Sequence, residues 1–137
     1  GVETQLAVQF DADVDRYQGA VASTVVDNFG IEAWVRSDGS ITDNAVVAYN
    51  GTSSTDGWGL FRFGSNWGFL FGGVAIVDGG QPVSNQWPHL ALVRDAGLAT
   101  FYVNGRPATT FGGAPGVPTG GFGIGGNPVF ADFEEFD

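Results

Sequence analysis

Residues 86–107 read Gln86-Trp-Pro-His-Leu-Ala-Leu-Val-Arg-Asp95, then Ala96-Gly-Leu-Ala-Thr-Phe-Tyr-Val-Asn-Gly-Arg-Pro107. Two β-prone apolar runs, Leu90–Val93 and Thr100–Val103, flank a short Asp95-Ala96-Gly97 break. The second run ends on Asn104-Gly105, the favoured pair for a type I′ turn, because both central residues of that turn take positive φ. The stretch predicts an antiparallel meander.

Working outward, Phe29–Val35 alternates so that Phe29, Ile31, Ala33 and Val35 share one face while Glu32 and Trp34 share the other. Ser37–Ser40 reads as a turn and Ala45–Tyr49 as a strand closed by Asn50-Gly51. Trp58–Phe63 and Trp67–Phe71, joined across Gly64–Asn66, form an aromatic hairpin. Val74–Val77 leads to a Gly79-Gly80 turn. Leu6–Phe10 reads as a first strand, and the glycine- and proline-rich residues 111–128 as a loop before a closing strand over Phe130–Phe136. Short strands at roughly ten-residue spacing mark a sandwich or jelly roll. No window of helical length carries an apolar stripe, so the chain is all-β and one domain spans residues 1–137.

Composition narrows the function classes. Fifteen acidic residues against five arginines give a net charge of −10, which repels phosphate backbones and makes nucleic acid and anionic membrane poor partners. No apolar run has membrane-spanning length, so membrane insertion is not expected. Cysteine is absent, which removes disulfides and thiolate metal sites. The chain begins at Gly1 and contains no methionine, as expected of a processed product or a piece of a longer chain.

Four motifs in order resemble the laminin-G-like (concanavalin A-like, jelly-roll) domains: Phe10-Asp11 with Asp15-Arg16-Tyr17; Phe29-Gly-Ile-Glu-Ala-Trp-Val35; the 86–107 meander with Trp87, His89, Arg94, Tyr102, Asn104 and Gly105; and Phe130–Phe136. Ala12 stands where the opening motif carries glycine, and Glu134-Glu135 where the closing one carries Asp-Glu. The resemblance implies an antiparallel β-sandwich of concanavalin A-like jelly-roll type. It implies a domain that more often binds glycans or proteins than catalyses. It also makes Trp34, Trp87 and His89 framework residues.

Sugar rings stack their C–H faces on tryptophan and need planar polar partners for their hydroxyls. Trp58 and Trp67, at strand ends near loops, fit either the core or such a stacking surface, whereas Phe69 and Phe71 read as core. The expected ligand-binding set is Trp58, Trp67, Arg62, Asn66 and Tyr49. An enzyme is not expected. The lone histidine has no nucleophile elbow to serve, and no strand carries the Glu-x-Asp-x-Glu signature of jelly-roll glycoside hydrolases. Calcium, a hard cation taking several oxygens, is the cofactor to test. Asp11, Asp13 and Asp15 are spaced i, i+2, i+4, and the fold implied by the resemblance brings Glu134 or Asp132 to the same seam. An EF-hand is excluded by the missing glycine and terminal glutamate. The expected function is non-catalytic recognition of carbohydrate or a glycan-bearing surface, outside the cell or on a particle. The rival is a structural or adhesive subunit of an extracellular assembly or virus particle, acting through protein–protein contacts.

Overall fold

A computed structural model of the chain describes residues 7–10, 15–37 and 44–128. Those residues form ten strands and no helix: β1 (Tyr17–Gly19), β2 (Phe29–Trp34), β3 (Ala45–Thr52), β4 (Asp56–Phe63), β5 (Asn66–Phe71), β6 (Ala75–Pro82), β7 (His89–Asp95), β8 (Leu98–Val103), β9 (Arg106–Phe111) and β10 (Phe122–Ile124). They pair antiparallel into two sheets, ordered β1-β10-β3-β4-β5-β6 and β2-β7-β8-β9. The antiparallel sandwich is therefore as expected, and the 86–107 stretch is its β7–β8–β9 meander. Asn104 (φ 51°) and Gly105 (φ 75°) make the type I′ turn, and Ala96 (φ 47°) with Gly97 (φ 82°) makes a second.

Two expectations are corrected. Gly79-Gly80 is not a turn but lies inside β6, where the register jumps from Gly68↔Asp78 to Trp67↔Gln81. A Cβ on Gly79 would sit 2.6 Å from the Phe101 ring, so the missing side chain is what lets the opposite sheet approach here. Ala7–Phe10 carries no strand pairing. The expected turn over Ser37–Ser40 and closing strand over Phe130–Phe136 fall wholly or partly outside the described residues.

Inward-facing Phe29, Val35, Trp58, Leu60, Trp67, Phe69, Phe71, Leu90, Leu92 and Phe101 form the core between the sheets. Phe29 and Trp58 stack at 4.1 Å, and Phe69, Phe71 and Phe111 meet in tilted and edge contacts. Val46, Tyr49, Phe61 and Leu70 form a separate small cluster. Tyr49 belongs there because a bulge between Val46 and Ala48 shifts β3 by one residue, and each one-residue shift turns a side chain to the other face.

Arg94, inward-facing on β7, ties three segments together. Its Nε donates to Val26 O at 3.0 Å and lies 3.2 Å from Asp27 Oδ1, while Nη1 donates to Gly113 O at 2.8 Å. Asp56 plays the same part at the other end. Oδ1 accepts from the amides of Thr52 and Thr119, and Oδ2 from the hydroxyls of Thr55 and Thr119. Partial burial alone would raise the Asp56 pKa, but the hydrogen bonds from Thr119, Thr52 and Thr55 outweigh it and hold the carboxyl below its ordinary value.

Candidate functional site

Four of the five expected ligand residues are structural. Trp58 is 5% exposed, stacked on Phe29, and its Nε1 donates to Val25 O at 2.9 Å. Trp67 is 1% exposed. Arg62 points inward beside Trp67, its Nε donating to Gly64 O and its Nη1 to Ser37 Oγ, both at 2.9 Å. Tyr49 Oη donates to Asp56 O at 2.8 Å and accepts from the Gly72 amide at 2.9 Å. Trp58, Arg62 and Tyr49 have polar atoms bonded within the fold, and none of the four presents the ring face that a sugar would need. Asn66 is half-buried at the β4–β5 turn, donating to Asp78 Oδ2 at 3.0 Å. The stacking platform expected on the aromatic hairpin is thus the interior of the sandwich.

The other two tryptophans, read as framework, are the ones solvent reaches: Trp34 is 66% exposed and Trp87 44%. The reason is local. β2 alternates Phe29, Ile31, Ala33 and Val35 into the core, which leaves Glu32, Trp34 and Arg36 on the outer side. On the neighbouring line Leu90 and Leu92 go inward, which leaves Trp87, His89 and Ala91 outward. The β2–β7 register sets Trp34 directly opposite His89 and Glu32 opposite Ala91.

These residues interlock. The Trp34 and His89 rings lie 5.1 Å apart, tilted by 49°. His89 Nε2 lies 3.2 Å from Glu32 Oε2. The Arg36 guanidinium carbon stands 5.4 Å from the Trp87 ring centroid, within cation–π range. The result is a ladder of two exposed indoles interleaved with a carboxylate, an imidazole and a guanidinium. Behind it the His89 amide donates to Asn104 Oδ1 at 2.9 Å and the Asn104 amide to His89 O at 2.8 Å, which fixes the strand ends. The signal for this face was present in the sequence, since Trp34 and Glu32 share the side of β2 opposite its apolar run.

Two depressions border the ladder. A mainly apolar groove of about 510 Å³ opens between the sheets along the edge strand β2, with Phe10, Tyr17, Ile31 and Phe122 in its walls and Trp34 and Trp87 beside them. A second of about 410 Å³ lies on the far side of Trp87, against Gln81, Gln86 and Asn104.

The calcium set is split. Asp11, Asp13 and Glu134, with Asp132, lie outside the described residues, and Asp15 is exposed. Among the described residues no three His, Asp or Glu side chains gather as a metal site.

The laminin G family model described as the concanavalin A-like lectin/glucanases superfamily matches residues 12–137, and the chain belongs to that superfamily. No curated protein matches the chain.

Proposed function

From membership of this superfamily, whose domains are lectin- and glucanase-like, we propose that the chain is a non-catalytic module that recognises carbohydrate or a glycan-bearing surface, outside the cell or on a particle. The observation that carries this reading is the exposed pair Trp34 and Trp87, set among Glu32, Arg36 and His89 on one sheet face. Indole faces offer the apolar surface on which a pyranose stacks, and the charged neighbours offer donors and acceptors for its hydroxyls. No role in bond cleavage is assigned to Glu32. Hydrolysis takes two carboxyl groups flanking one glycosidic bond, and the only carboxylate in the ladder is paired to His89.

A glycan array probed with the purified domain, with calcium and with chelator, tests this reading. Binding that Trp34→Ala or Trp87→Ala abolishes in a folded protein supports it. A folded domain that binds no glycan removes it.

The rival reading, a structural or adhesive subunit, is supported by the apolar groove between the sheets, which would seat side chains of another protein. It predicts concentration-dependent assembly in sedimentation, independent of any sugar.

A further inference from the structure

Trp87 is shared by the groove beside the ladder and by the depression on its other side. That depression continues into a third, of about 500 Å³, through Gln81, Val103 and Asn104. Together they form a cleft between the end of β6, residues 83–88 and the β8–β9 turn. Its rim carries the amides of Gln81, Gln86 and Asn104, the Ser84 hydroxyl and the Arg106 guanidinium. Apolar surface beside them comes from the exposed Trp87 ring and half-buried Val103, while Trp67 and Pro88 lie buried beneath.

Three features give this cleft a chemistry. Primary amides both donate and accept, as sugar hydroxyls do, so a rim of amides continuing from the exposed Trp87 ring matches the hydroxyl-bearing edge of a pyranose. No carboxylate lines the cleft among the described residues, although the chain carries 15 acidic residues, so cations are not its ligands. The net charge of −10 disfavours polyanions. The rim is also preorganised: Val83 N donates to Ser65 O at 2.7 Å, Val35 N to Pro88 O at 3.2 Å, and Asn104 is locked to His89.

Distance sets the ligand's length. Trp34 on β2 and Arg106 on β9 are three strand spacings apart, about 14 Å along the sheet. Arg106 shares the core-facing side with Val103, so the path from Trp34 rounds the sheet end at Trp87 and is longer than one sugar ring covers. Resting on the carbohydrate reading above, we infer that the ligand is a chain of neutral sugars rather than a single terminal ring. One unit stacks on the Trp34–Trp87 ladder, and the chain continues past Trp87 into the cleft of Gln81, Gln86, Asn104 and Arg106.

The test uses neutral gluco-, galacto- and manno-oligosaccharides in lengths from one sugar to six, titrated into the domain. Affinity is expected to rise with length by about tenfold or more, the scale of one or two neutral hydrogen bonds. Gln81→Ala with Gln86→Ala should collapse the long-chain affinity toward the short-chain value, and Trp34→Ala should weaken every length. Arg106→Ala reads the same cleft from β9, and unchanged unfolding midpoints confirm that each variant is folded. Binding that does not grow with length, or growth that survives the glutamine and Arg106 variants, overturns the inference while leaving carbohydrate recognition in place. A folded domain that binds none of these sugars, nor any glycan on the array, overturns both.

Discussion

Two pairs of tryptophans, alike in sequence, should respond oppositely to truncation. A tryptophan buries about 150–250 Å², and at about 25 cal/mol per Å² its full burial is worth about 4–6 kcal/mol. Trp58, 5% exposed, holds nearly all of that, together with a stacked partner and a hydrogen bond to Val25 O. Trp58→Ala should therefore cost about 3–5 kcal/mol, a large part of the stability of a domain worth about 5–15 kcal/mol. Trp58→Phe, which keeps the ring but strands the Val25 carbonyl, should cost about 1–2 kcal/mol. Trp34, 66% exposed, holds only about a third of the burial term, so Trp34→Ala should cost at most about 1–2 kcal/mol. Urea unfolding followed by far-ultraviolet circular dichroism gives each value, and iodide quenching checks independently the burial from which they were worked. In a Trp34→Phe, Trp87→Phe protein the emission left comes from Trp58 and Trp67, and it should be blue-shifted and shielded from iodide. The reasoning is refuted if Trp34→Ala destabilises as much as Trp58→Ala, or if the remaining pair is freely quenched.

Three further outcomes follow from the same geometry. The Asp56 pKa is lowered on folding, so its contribution is fully present above the ordinary carboxyl value near about 4 and is lost as pH falls through the folded value. Melting from pH 7 to 2 should show a steeper acid loss for the wild type than for Asp56→Asn, and parallel curves would remove Asp56 as the clasp between the β3–β4 turn and Thr119. Arg94→Met should cost about 2–4 kcal/mol in urea unfolding, since it leaves the Val26 and Gly113 carbonyls without their buried donor; a neutral effect would show that water replaces it. If Asp11, Asp13, Asp15 and Glu134 hold calcium, the unfolding midpoint rises with added calcium and Asp13→Ala cancels the rise. Equal midpoints in calcium and chelator take calcium out of the account.

The meander was legible because its signals are local. Asn104-Gly105 specifies a type I′ turn whatever surrounds it, and period-two alternation in Phe29–Val35 and Leu90–Arg94 fixes which residues share a face. The aromatic hairpin paired as read, with Trp58 opposite Phe71 and Arg62 opposite Trp67. What failed there was the choice of face. Alternation puts Trp58, Leu60 and Arg62 on one side of β4, but it does not say whether that side meets solvent or the second sheet.

That limit divides the protein. The sequence alone determined an all-β sandwich, its β7–β8–β9 meander and the grouping of side chains onto faces, because turns and alternation act over a few residues. Only the tertiary structure decided that Trp58, Trp67, Arg62 and Tyr49 are interior and that Trp34 and Trp87 look outward. It also placed Gly79-Gly80 in a bulge and turned Tyr49 to the other side of β3. Burial belongs to the pairing of two sheets, and a bulge resets the face of every residue beyond it. Both depend on contacts between strands far apart in the chain, which no local pattern carries.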